Sequence, residues 1–179
     1  MTIEQPFNLK KWIEQHRHLL KPPVGNAQLW KNSEFIVMIV GGPNQRTDYH
    51  LDPAPEIFYQ LEGNITLKVM NEGKPEEIQI QEGEIFLLPA MMPHSPRRPA
   101  NTVGMVVERV RKETEIEHFR WYCEKCHELL YNASLHVSDI VVQLPPVFEK
   151  FYKGDESSRT CKKCGAVFQP PQPSKTQGS

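Results

Sequence analysis

The sequence predicts a fold dominated by β-structure: one barrel or sandwich, preceded by a helix and followed by a small unit that binds a metal through cysteines. Three observations support this prediction. Between positions 28 and 110, short apolar and β-branched runs alternate with turn residues at regular spacing. Before them, a stretch of helical periodicity ends at two prolines, and after them the chain carries two Cys-x2-Cys pairs. The length of 179 residues fits one principal domain with at most a small appendage.

The N-terminal helix is predicted from its apolar residues and its boundaries. Apolar side chains recur at near-helical spacing after Asn8, a candidate N-cap, and stop at Pro22-Pro23. Such a stripe is typical of packing against a core or an interface. His16 and His18 lie on or beside the stripe without a partner motif, so we expect them to be exposed or hydrogen-bonded rather than metal ligands.

The β-rich part divides into short strands separated by turns. Alternation within NITLKVM places Ile65, Leu67 and Val69 on one face of a strand. The turns carry glycine and asparagine, as at Glu62-Gly63-Asn64 and Asn71-Glu72-Gly73. The predicted β segments are WKNSEFIVMIVGG, EIFYQLEG, NITLKVM, EEIQIQEG, EIFLLP and, as the last strand of the barrel, TVGMVVERV.

Charge and composition argue against several classes of protein. Lysine and arginine total 21 against 22 aspartates and glutamates, so no basic field indicates a nucleic-acid partner. The N-terminus has no apolar signal region, and runs such as FIVMIV are too short to span a bilayer. We therefore expect a soluble cytoplasmic protein, in which the four cysteines are reduced and bind metal rather than form disulfides.

Two imidazoles and one carboxylate in the β-rich part form a candidate metal site. His50 and Glu56 precede one apolar run, and His94 follows another that is closed by Pro89. Three such ligands leave further coordination positions open, an arrangement that suits non-haem Fe(II) and oxygen chemistry. Because histidine and glutamate are also common on protein surfaces, the spacing of the three residues decides between a site and a chance trio.

That spacing resembles the two sequence motifs of the cupins. The segment Gly42-x7-His50-x-Asp52-x3-Glu56-x6-Gly63 is similar to the first cupin motif, and Gly83-x5-Pro89-x4-His94 is similar to the second. Cupins are double-stranded β-helix or jelly-roll barrels, which protect the edges of their sheets. The resemblance therefore implies this form of barrel for the β-rich part.

Two positions depart from the cupin pattern. Asp52 stands where a second histidine is usual in the first motif, and Met91 stands where a glycine is usual in the second. The missing histidine reduces the usual four ligands to three. The resemblance therefore favours His50, Glu56 and His94 as the iron ligands and argues against a metal role for Asp52.

A longer set of segments resembles the bacterial 3-hydroxyanthranilate 3,4-dioxygenase family over nearly the whole chain. The resemblance implies an enzyme that opens the ring of 3-hydroxyanthranilate with O2, between carbons 3 and 4, on the route from tryptophan to quinolinate. It also implies Fe(II) as the catalytic metal, and a homodimer. The segments that carry it are PFNLKKWIEQHRHLLKPPVGN, IVGGPNQRTDYH, EIFYQLEGN, GEIFLLPAMMPHSPRRP, FRWYC and DIVVQLPPVFEKFY.

The same resemblance implies which residues bind the substrate. Arg46 and Arg98 match arginines that bind the substrate carboxylate, and a guanidinium can bind a carboxylate in a bidentate way. Arg97, the neighbour of Arg98, is expected to be a solvated surface charge. Asn26 and Asp48 are expected to orient the arginines or the metal ligands.

Glu108 is a candidate general base, with an alternative. It follows the apolar run MVV, where alternation places its side chain either inside the barrel or at an exposed strand end paired with Arg109. A buried carboxylate is costly unless it is paired or hydrogen-bonded. The family resemblance favours the inner position, where the carboxylate contacts the amino and hydroxyl side of the substrate and accepts a proton. Glu56 is expected beside the substrate as well.

The cysteines form two knuckles, Cys123-x2-Cys126 and Cys161-x2-Cys164. Two such turns offer four thiolates to one ion, so they predict a closed structural site that holds zinc or iron. Cys123 to His127 also matches a c-type haem attachment pattern, but that interpretation leaves the second knuckle without a role. A thioredoxin-like redox pair is disfavoured because no βαβ pattern surrounds either knuckle.

The order of these segments predicts the domain organisation. Residues 1–110 are expected to form the barrel with its N-terminal helix, residues 111–168 a rubredoxin-like subdomain with the four cysteines, and residues 169–179 a disordered, proline-rich tail. Within the second unit, RKETEIEH is interpreted as a linker, and a short helix VFEKFYKG is expected to begin at Pro145-Pro146.

Two other classes of function stay open at the level of the sequence. One is a different cupin enzyme, such as a thiol dioxygenase or an isomerase, against which the arginine pair and Glu108 argue. The other is a non-catalytic cupin module that regulates a partner, although no recognition element is visible. Oxygen uptake and ring-cleavage absorbance with 3-hydroxyanthranilate and Fe(II) would separate these alternatives.

Overall fold

A computed structural model describes residues 3–21, 25–138 and 140–171 of the chain. Strands dominate, as the sequence predicted, and a 3-10 helix, Arg17–Leu20, follows the first helix. The elements in chain order are α1 (Leu9–His16), β1 (Asn26–Gln28), β2 (Phe35–Gly41), β3 (Tyr49–Leu51), β4 (Glu56–Glu62), β5 (Ile65–Asn71), β6 (Lys74–Ile80), β7 (Ile85–Leu88), β8 (His94–Arg97), β9 (Val103–Arg109), β10 (Glu117–Tyr122), β11 (Leu129–Leu135), α2 (Ile140–Tyr152) and α3 (Glu156–Arg159).

The N-terminal helix forms for the predicted reasons. The side chain of Asn8 accepts a hydrogen bond from the backbone N–H of Lys11 (3.0 Å) and so caps α1. His16 Nδ1 donates to the carbonyl oxygen of Trp12 (2.7 Å), which satisfies this histidine within the helix. The predicted stop at Pro22-Pro23 lies outside the described residues. A small core joins this segment to β2 and β9 through Ile13, Leu20, Ile39 and Val103.

Across the described residues, the strands form two antiparallel sheets, in the orders β1-β2-β9-β4-β7 and β11-β10-β3-β8-β5-β6. Strand pairs are nested around the β5–β6 hairpin, since β4 pairs with β7, β3 with β8 and β2 with β9. One long antiparallel pair of strands is thus wound from sheet to sheet. This arrangement is the double-stranded β-helix that the sequence predicted.

The main core lies between the two sheets. Inward-facing side chains alternate along β5, where Ile65, Leu67 and Val69 are buried as predicted. Each such side chain stabilises the fold by about 1.5–3 kcal/mol when it leaves water. The ring of Phe58 in this core lies 5.9 Å, centroid to centroid, from the ring of His94. The apolar core therefore directly supports the polar groups of the candidate site.

The segment after residue 110 differs from the predicted linker. β10 starts at Glu117 and pairs with both β3 and β11, so it extends a sheet of the barrel. Every second side chain of β10 is buried, namely Glu117, Phe119 and Trp121. The linker interpretation is wrong over this part because a charged run suggests a solvated segment, whereas strand alternation turns one of these charges inward.

The second long helix also starts earlier than predicted. α2 begins at Ile140 and contains Pro145 and Pro146, whereas the sequence predicted a start at these prolines. Leu144, just before them, is buried in an aromatic cluster that includes Phe151. The free energy gained by this burial offsets the loss of the two helical hydrogen bonds that the prolines cannot donate.

The predicted domain boundaries, after residues 110 and 168, stay predictions. The predicted tail, 169–179, lies mostly outside the described residues, which end at residue 171. None of the described helices is long and apolar enough to cross a membrane.

Candidate active site

Three predicted ligands come together between the two sheets, and we call them the barrel site: His50, Glu56 and His94. The register of β3 and β8 places His50 opposite His94, and Glu56 begins β4 in the facing sheet. One ligand atom of each residue lies within 4.8 Å of those of the other two. All three side chains are buried. Strand pairing thus gathers donors that are distant in the sequence.

Hydrogen bonds orient both imidazole rings of the barrel site. The carbonyl oxygen of Met92 can only accept, so His94 donates to it from Nδ1 (3.0 Å) and turns Nε2 toward Glu56 Oε1, 3.2 Å away. His50 donates from Nε2 to the carboxylate of Glu117 (2.5 Å), and its Nδ1 faces Glu56 Oε1 at 3.8 Å. In its neutral form, each ring therefore presents an unprotonated nitrogen to the same carboxylate oxygen.

The environment of Glu56 fits a bound divalent cation. Its Oε1 is buried and accepts no hydrogen bond from any described residue, although two imidazole nitrogens lie nearby. A buried carboxylate without a hydrogen bond is costly unless a positive charge joins it. Two nitrogens and one carboxylate oxygen that converge on one point are ligands for a metal such as Fe(II).

Asp52, which replaces the usual second histidine, does not join the barrel site. Its Oδ1 accepts a hydrogen bond from the backbone N–H of Ala54 (2.6 Å), and its Oδ2 lies 2.8 Å from Arg111. Asp52, His50 and Glu117 also bring ligand-type atoms within 4.8 Å of one another. The guanidinium of Arg111 already contacts both carboxylates, however, so a cation is present at that point.

Met91, the other departure from the cupin pattern, keeps the backbone of the glycine it replaces. Its φ is 60°, in the left-handed region that favours glycine. Its N–H donates to the carbonyl oxygen of Asp52 (2.7 Å). The turn before β8 is therefore retained with a different residue.

The barrel site opens into a cavity of about 610 Å³, a size typical of pockets for small molecules. The charged and imidazole side chains in its lining are those of Arg46, His50, Glu56, His94, Arg98 and Glu108. One wall comes from α2, through Leu144, Pro145, Phe148 and Tyr152. Arg97 is half-buried and lines a separate pocket beside Cys123, so it is less solvated than predicted.

Arg98 is a buried cation without an anionic partner among the described residues. It is 3% exposed, and its Nη1 donates to Gln60 Oε1 (3.3 Å), but no carboxylate of the described residues lies within 4.0 Å of its guanidinium. Burial, and then the positive charge of Arg46, lower the pKa of Arg98 to about 10. Gly104 makes room for this group, because a Cβ there would lie 2.7 Å from Arg98 Nη1. The cavity therefore offers a place for an anion.

Arg46 lines the same cavity but already has a partner. Its Nε and Nη2 donate to the carboxylate of Asp48, at 3.1 and 2.5 Å. Asp48 is fully buried, so it holds the guanidinium at a defined position. Asn26 lines the cavity from β1. The expected role of Asp48 in orienting an arginine is consistent with this contact.

Glu108 faces the cavity and not the solvent. It is buried, and its Oε2 lies 2.6 Å from Arg111. Arg109, the alternative partner, instead forms an ion pair with Glu115. Burial, and then the negative charge of Glu56, raise the pKa of Glu108 to about 7 against the opposing effect of Arg111.

Several residues at the site were not predicted from the sequence. Arg111 and Glu117 lie within the run interpreted as a linker, and Gln60 and Gly104 surround the guanidinium of Arg98. Glu117, Phe119 and Trp121 are spaced two residues apart, so a strand would place them on one face. This spacing was the signal that could have placed Glu117 inside. No local pattern marks the others.

The cysteines form a second cluster, which we call the four-cysteine site: Cys123, Cys126, Cys161 and Cys164. The sulfurs of Cys123 and Cys164, and those of Cys126 and Cys161, lie 3.5 Å apart, and all four lie within 4.8 Å of one another. A tetrahedron with metal–sulfur bonds of about 2.3 Å has sulfur–sulfur edges of about 3.8 Å. A disulfide would need about 2.05 Å. The geometry therefore fits a metal.

The two knuckles have matching backbone structures. The N–H of His127 donates to the carbonyl oxygen of Cys123 (2.8 Å), and the N–H of Gly165 donates to that of Cys161 (2.9 Å). Both residues have positive φ, 60° for His127 and 73° for Gly165. His127 thus occupies the position in its knuckle that Gly165 occupies in the other. Its place after Cys126 is therefore explained by the turn, and no haem attachment is needed to explain it.

Comparisons with known proteins identify relatives of this chain. A family model described as 3-hydroxyanthranilic acid dioxygenase matches residues 1–152. A protein of Burkholderia cenocepacia named 3-hydroxyanthranilate 3,4-dioxygenase is 49% identical over 168 residues, which cover 93% of this chain and 94% of that protein. A protein of the same name from Xanthomonas campestris pv. campestris is 51% identical over 167 residues, with 93% and 94% covered.

Among solved structures, a cupin-2 domain protein from Shewanella frigidimarina aligns with a TM-score of 0.46 and 15% identity, over 55% of this chain and 92% of that one. The family match and the two relatives extend over most of this chain at a much higher identity. The chain therefore belongs to the 3-hydroxyanthranilic acid dioxygenase family.

Proposed function

We propose that the protein is an Fe(II)-dependent, ring-cleaving dioxygenase that converts 3-hydroxyanthranilate and O2 to 2-amino-3-carboxymuconate semialdehyde. One observation carries this proposal: a single cavity holds both the barrel site and the guanidinium of Arg98, which has no carboxylate partner among the described residues. The first suits a metal for oxygen chemistry, and the second suits the carboxylate of an aromatic acid. Membership of the family supports the choice of substrate.

The barrel site would hold the iron through His50, Glu56 and His94. Three protein ligands leave the remaining positions of an octahedral ion open toward the cavity. Bound Fe(II) would supply the redox centre through which the electron-rich ring reacts with O2, and both oxygen atoms enter the product. The hydrogen bonds of the two histidines to Met92 and Glu117 keep the metal-facing nitrogens in place.

The arginines bind and orient the substrate. Arg98, buried and without a carboxylate partner among the described residues, binds the substrate carboxylate, and Arg46 supports it from a position held by Asp48. Fixing this edge of the ring leaves the amino and hydroxyl groups directed at the barrel site. Holding the reacting groups in a defined geometry lowers the entropic part of the activation barrier.

Glu108 accepts the proton of the substrate hydroxyl. A pKa of about 7 makes its carboxylate a base matched to neutral pH. The neighbouring Arg111 keeps part of the population ionised despite burial. Glu56 lies on the same side of the cavity and adjoins the substrate.

The four-cysteine site would hold a structural metal, zinc or iron, because four thiolates leave no position for a substrate. It stabilises the segment that carries α2, one wall of the cavity. The homodimer and the cytoplasmic location stay predictions.

Anaerobic loading with Fe(II), followed by addition of 3-hydroxyanthranilate and O2, tests the proposal. We expect oxygen uptake and a new absorbance of the ring-cleaved product in a one-to-one ratio. A protein with a fully iron-loaded barrel site that consumes no oxygen would contradict the proposed function.

A further inference from the structure

Arg111 lies at the centre of a buried cluster of carboxylates behind the barrel site. Its guanidinium lies 2.8 Å from Asp52, 2.6 Å from Glu108 and 2.5 Å from Glu117. Its side chain is only 6% exposed. Burial lowers its pKa, but the three carboxylates outweigh burial and raise it. One guanidinium therefore contacts acidic groups from three different segments of the chain.

Glu117 connects this cluster to the barrel site. It accepts a hydrogen bond from Arg111 Nε through Oε1 (2.5 Å) and one from His50 Nε2 through Oε2 (2.5 Å). A carboxylate that accepts from one ring nitrogen fixes both the tautomer and the orientation of the ring. His94 has no such carboxylate among the described residues, since its Nδ1 donates to a backbone carbonyl. The two histidines are therefore oriented by different means.

The contacts of Arg111 to Asp52 and Glu108 are ion pairs without hydrogen-bond alignment, because neither Asp52 Oδ2 nor Glu108 Oε2 accepts a hydrogen bond within the described residues. Charge thus holds Glu108 at the wall of the cavity, whereas directed hydrogen bonds hold Glu117. Removing the cation would leave three buried carboxylates facing one another, which is unfavourable.

We propose that Glu117 and Arg111 are positioning residues of the ring-opening site: Glu117 sets the orientation of His50 toward the metal, and Arg111 holds both Glu117 and Glu108 in place. This inference rests on the proposed function for its catalytic part. Its metal-binding part is independent of any substrate.

The first test measures how tightly the barrel site holds iron. The holoenzyme is titrated anaerobically with a chromogenic Fe(II) chelator, and the metal of the four-cysteine site serves as an internal reference for folding. We expect Glu117→Ala to weaken iron binding by about 10- to 100-fold, the usual effect of removing the partner of a ligating histidine. Glu117→Gln should recover part of the affinity, because its amide oxygen can still accept from His50 Nε2.

The second test separates the effect on Glu108 from the effect on substrate binding. Arg111→Lys keeps the charge but cannot contact three carboxylates at once. We expect its kcat to fall by about tenfold with little change in KM, since Arg46 and Arg98 are untouched.

The chain offers a matched control in the same segment. Arg109 and Glu115 form an ion pair with the same sequence separation as Arg111 and Glu117, but the Arg109 side chain is 34% exposed. Arg109→Lys and Glu115→Gln should leave iron affinity and kcat unchanged.

Wild-type iron affinity in Glu117→Ala would overturn the proposal, and so would an equal loss of affinity in Glu115→Gln. If wild-type protein holds iron and the Glu117 variants lose it, but no variant opens the ring, then the positioning role stands and the proposed function fails.

Discussion

The barrel site and the four-cysteine site differ in the number of ligands and in what surrounds them. The barrel site has three donors of mixed type and faces a cavity of about 610 Å³. The four-cysteine site has four thiols, which is sufficient to fill a tetrahedral shell. An open shell beside a cavity can bind substrates, whereas a filled shell leaves no position for one. Under the proposed function, ligand count is therefore the feature that distinguishes the catalytic centre from the structural one.

The two sites also differ in how their ligands are held. Each knuckle of the four-cysteine site is a local turn closed by one backbone hydrogen bond, from His127 or from Gly165. In the barrel site, the ring of His50 depends on Glu117, which is 67 residues away in the sequence. Substitutions outside the ligand set should therefore disturb the barrel site more than the four-cysteine site.

The largest expected effect is the loss of one metal without the other when a ligand of the barrel site is removed. Alanine at His50, Glu56 or His94 should abolish iron retention at the barrel site and ring opening, because a site with three ligands has no spare ligand. The metal of the four-cysteine site should remain, and the fold with it. Metal analysis and oxygen uptake are the measurements. Full iron occupancy in two of the three variants would refute the ligand assignment. Asp52→Ala serves as the comparison and should retain more iron, since Asp52 contacts Arg111 instead.

The converse substitution should remove the structural metal. Serine at Cys161 or Cys164 should release it and loosen the segment 111–168, since binding of a structural zinc contributes folding free energy, about 10–16 kcal/mol in small zinc peptides. Iron should stay at the barrel site. KM for the substrate should rise, because α2 forms a wall of the cavity. Limited proteolysis and metal analysis follow the change. Loss of the barrel iron with retention of the second metal would contradict two independent sites.

A third prediction concerns the anion position at Arg98, in the cavity beside the barrel site. Arg98→Ala should weaken binding of 3-hydroxyanthranilate by about 2–5 kcal/mol, the usual result of truncating one partner of a buried charge pair. Arg46→Ala should act in the same direction. Binding of 2-aminophenol, which lacks the carboxylate, should change little in either variant. Titration of both compounds with each protein measures the difference. An equal loss for the two compounds would show that Arg98 supports the fold or the iron and not the carboxylate.

The pH dependence of the reaction should report on Glu108. Because burial raises its pKa to about 7, its carboxylate is protonated and unable to act as a base at lower pH. We expect kcat/KM to fall by about tenfold per pH unit below pH 7, while the metal content of the four-cysteine site stays constant over the same range. Glu108→Gln should be slower throughout and should lose this acidic limb. If kcat/KM of Glu108→Gln falls over the same pH range as in the wild type, then another group causes the decrease.

The smallest expected effect lies in the turns of the four-cysteine site. His127 is exposed and has a positive φ, so His127→Gly should alter stability by no more than about 1 kcal/mol. Gly165→His places a side chain in the left-handed region and should cost about 1–2 kcal/mol. Thermal unfolding of the metal-loaded proteins gives both values. Ring opening should be normal in both, and a large loss of activity in His127→Gly would mean that this histidine does more than close a turn.

Much of the fold and the pairing of the cysteines could be predicted from the sequence because their causes are local. The set His50, Glu56 and His94 was predicted instead from its resemblance to the cupin motifs, because these residues are distant from one another in the sequence. The cap of α1 by Asn8, the alternation of Ile65, Leu67 and Val69, and the paired cysteines each follow from neighbours a few residues apart. The start of α2 could not, because prolines normally mark a boundary, and the burial of Leu144 just before them depends on distant aromatic residues.

The sequence by itself determined which residue types are available to the two centres and in what order the strands carry them. Only the tertiary structure decided which charges are buried. Arg109 ends β9 and Arg111 follows two residues later, and each pairs with a glutamate further along the chain. Yet one pair is partly exposed and the other lies behind the barrel site. The reason is the pairing of β10 with β3, a contact between distant segments that turns Glu117 inward beside His50. The cost of burying a charge depends on the partners it meets there, and those partners come from other strands.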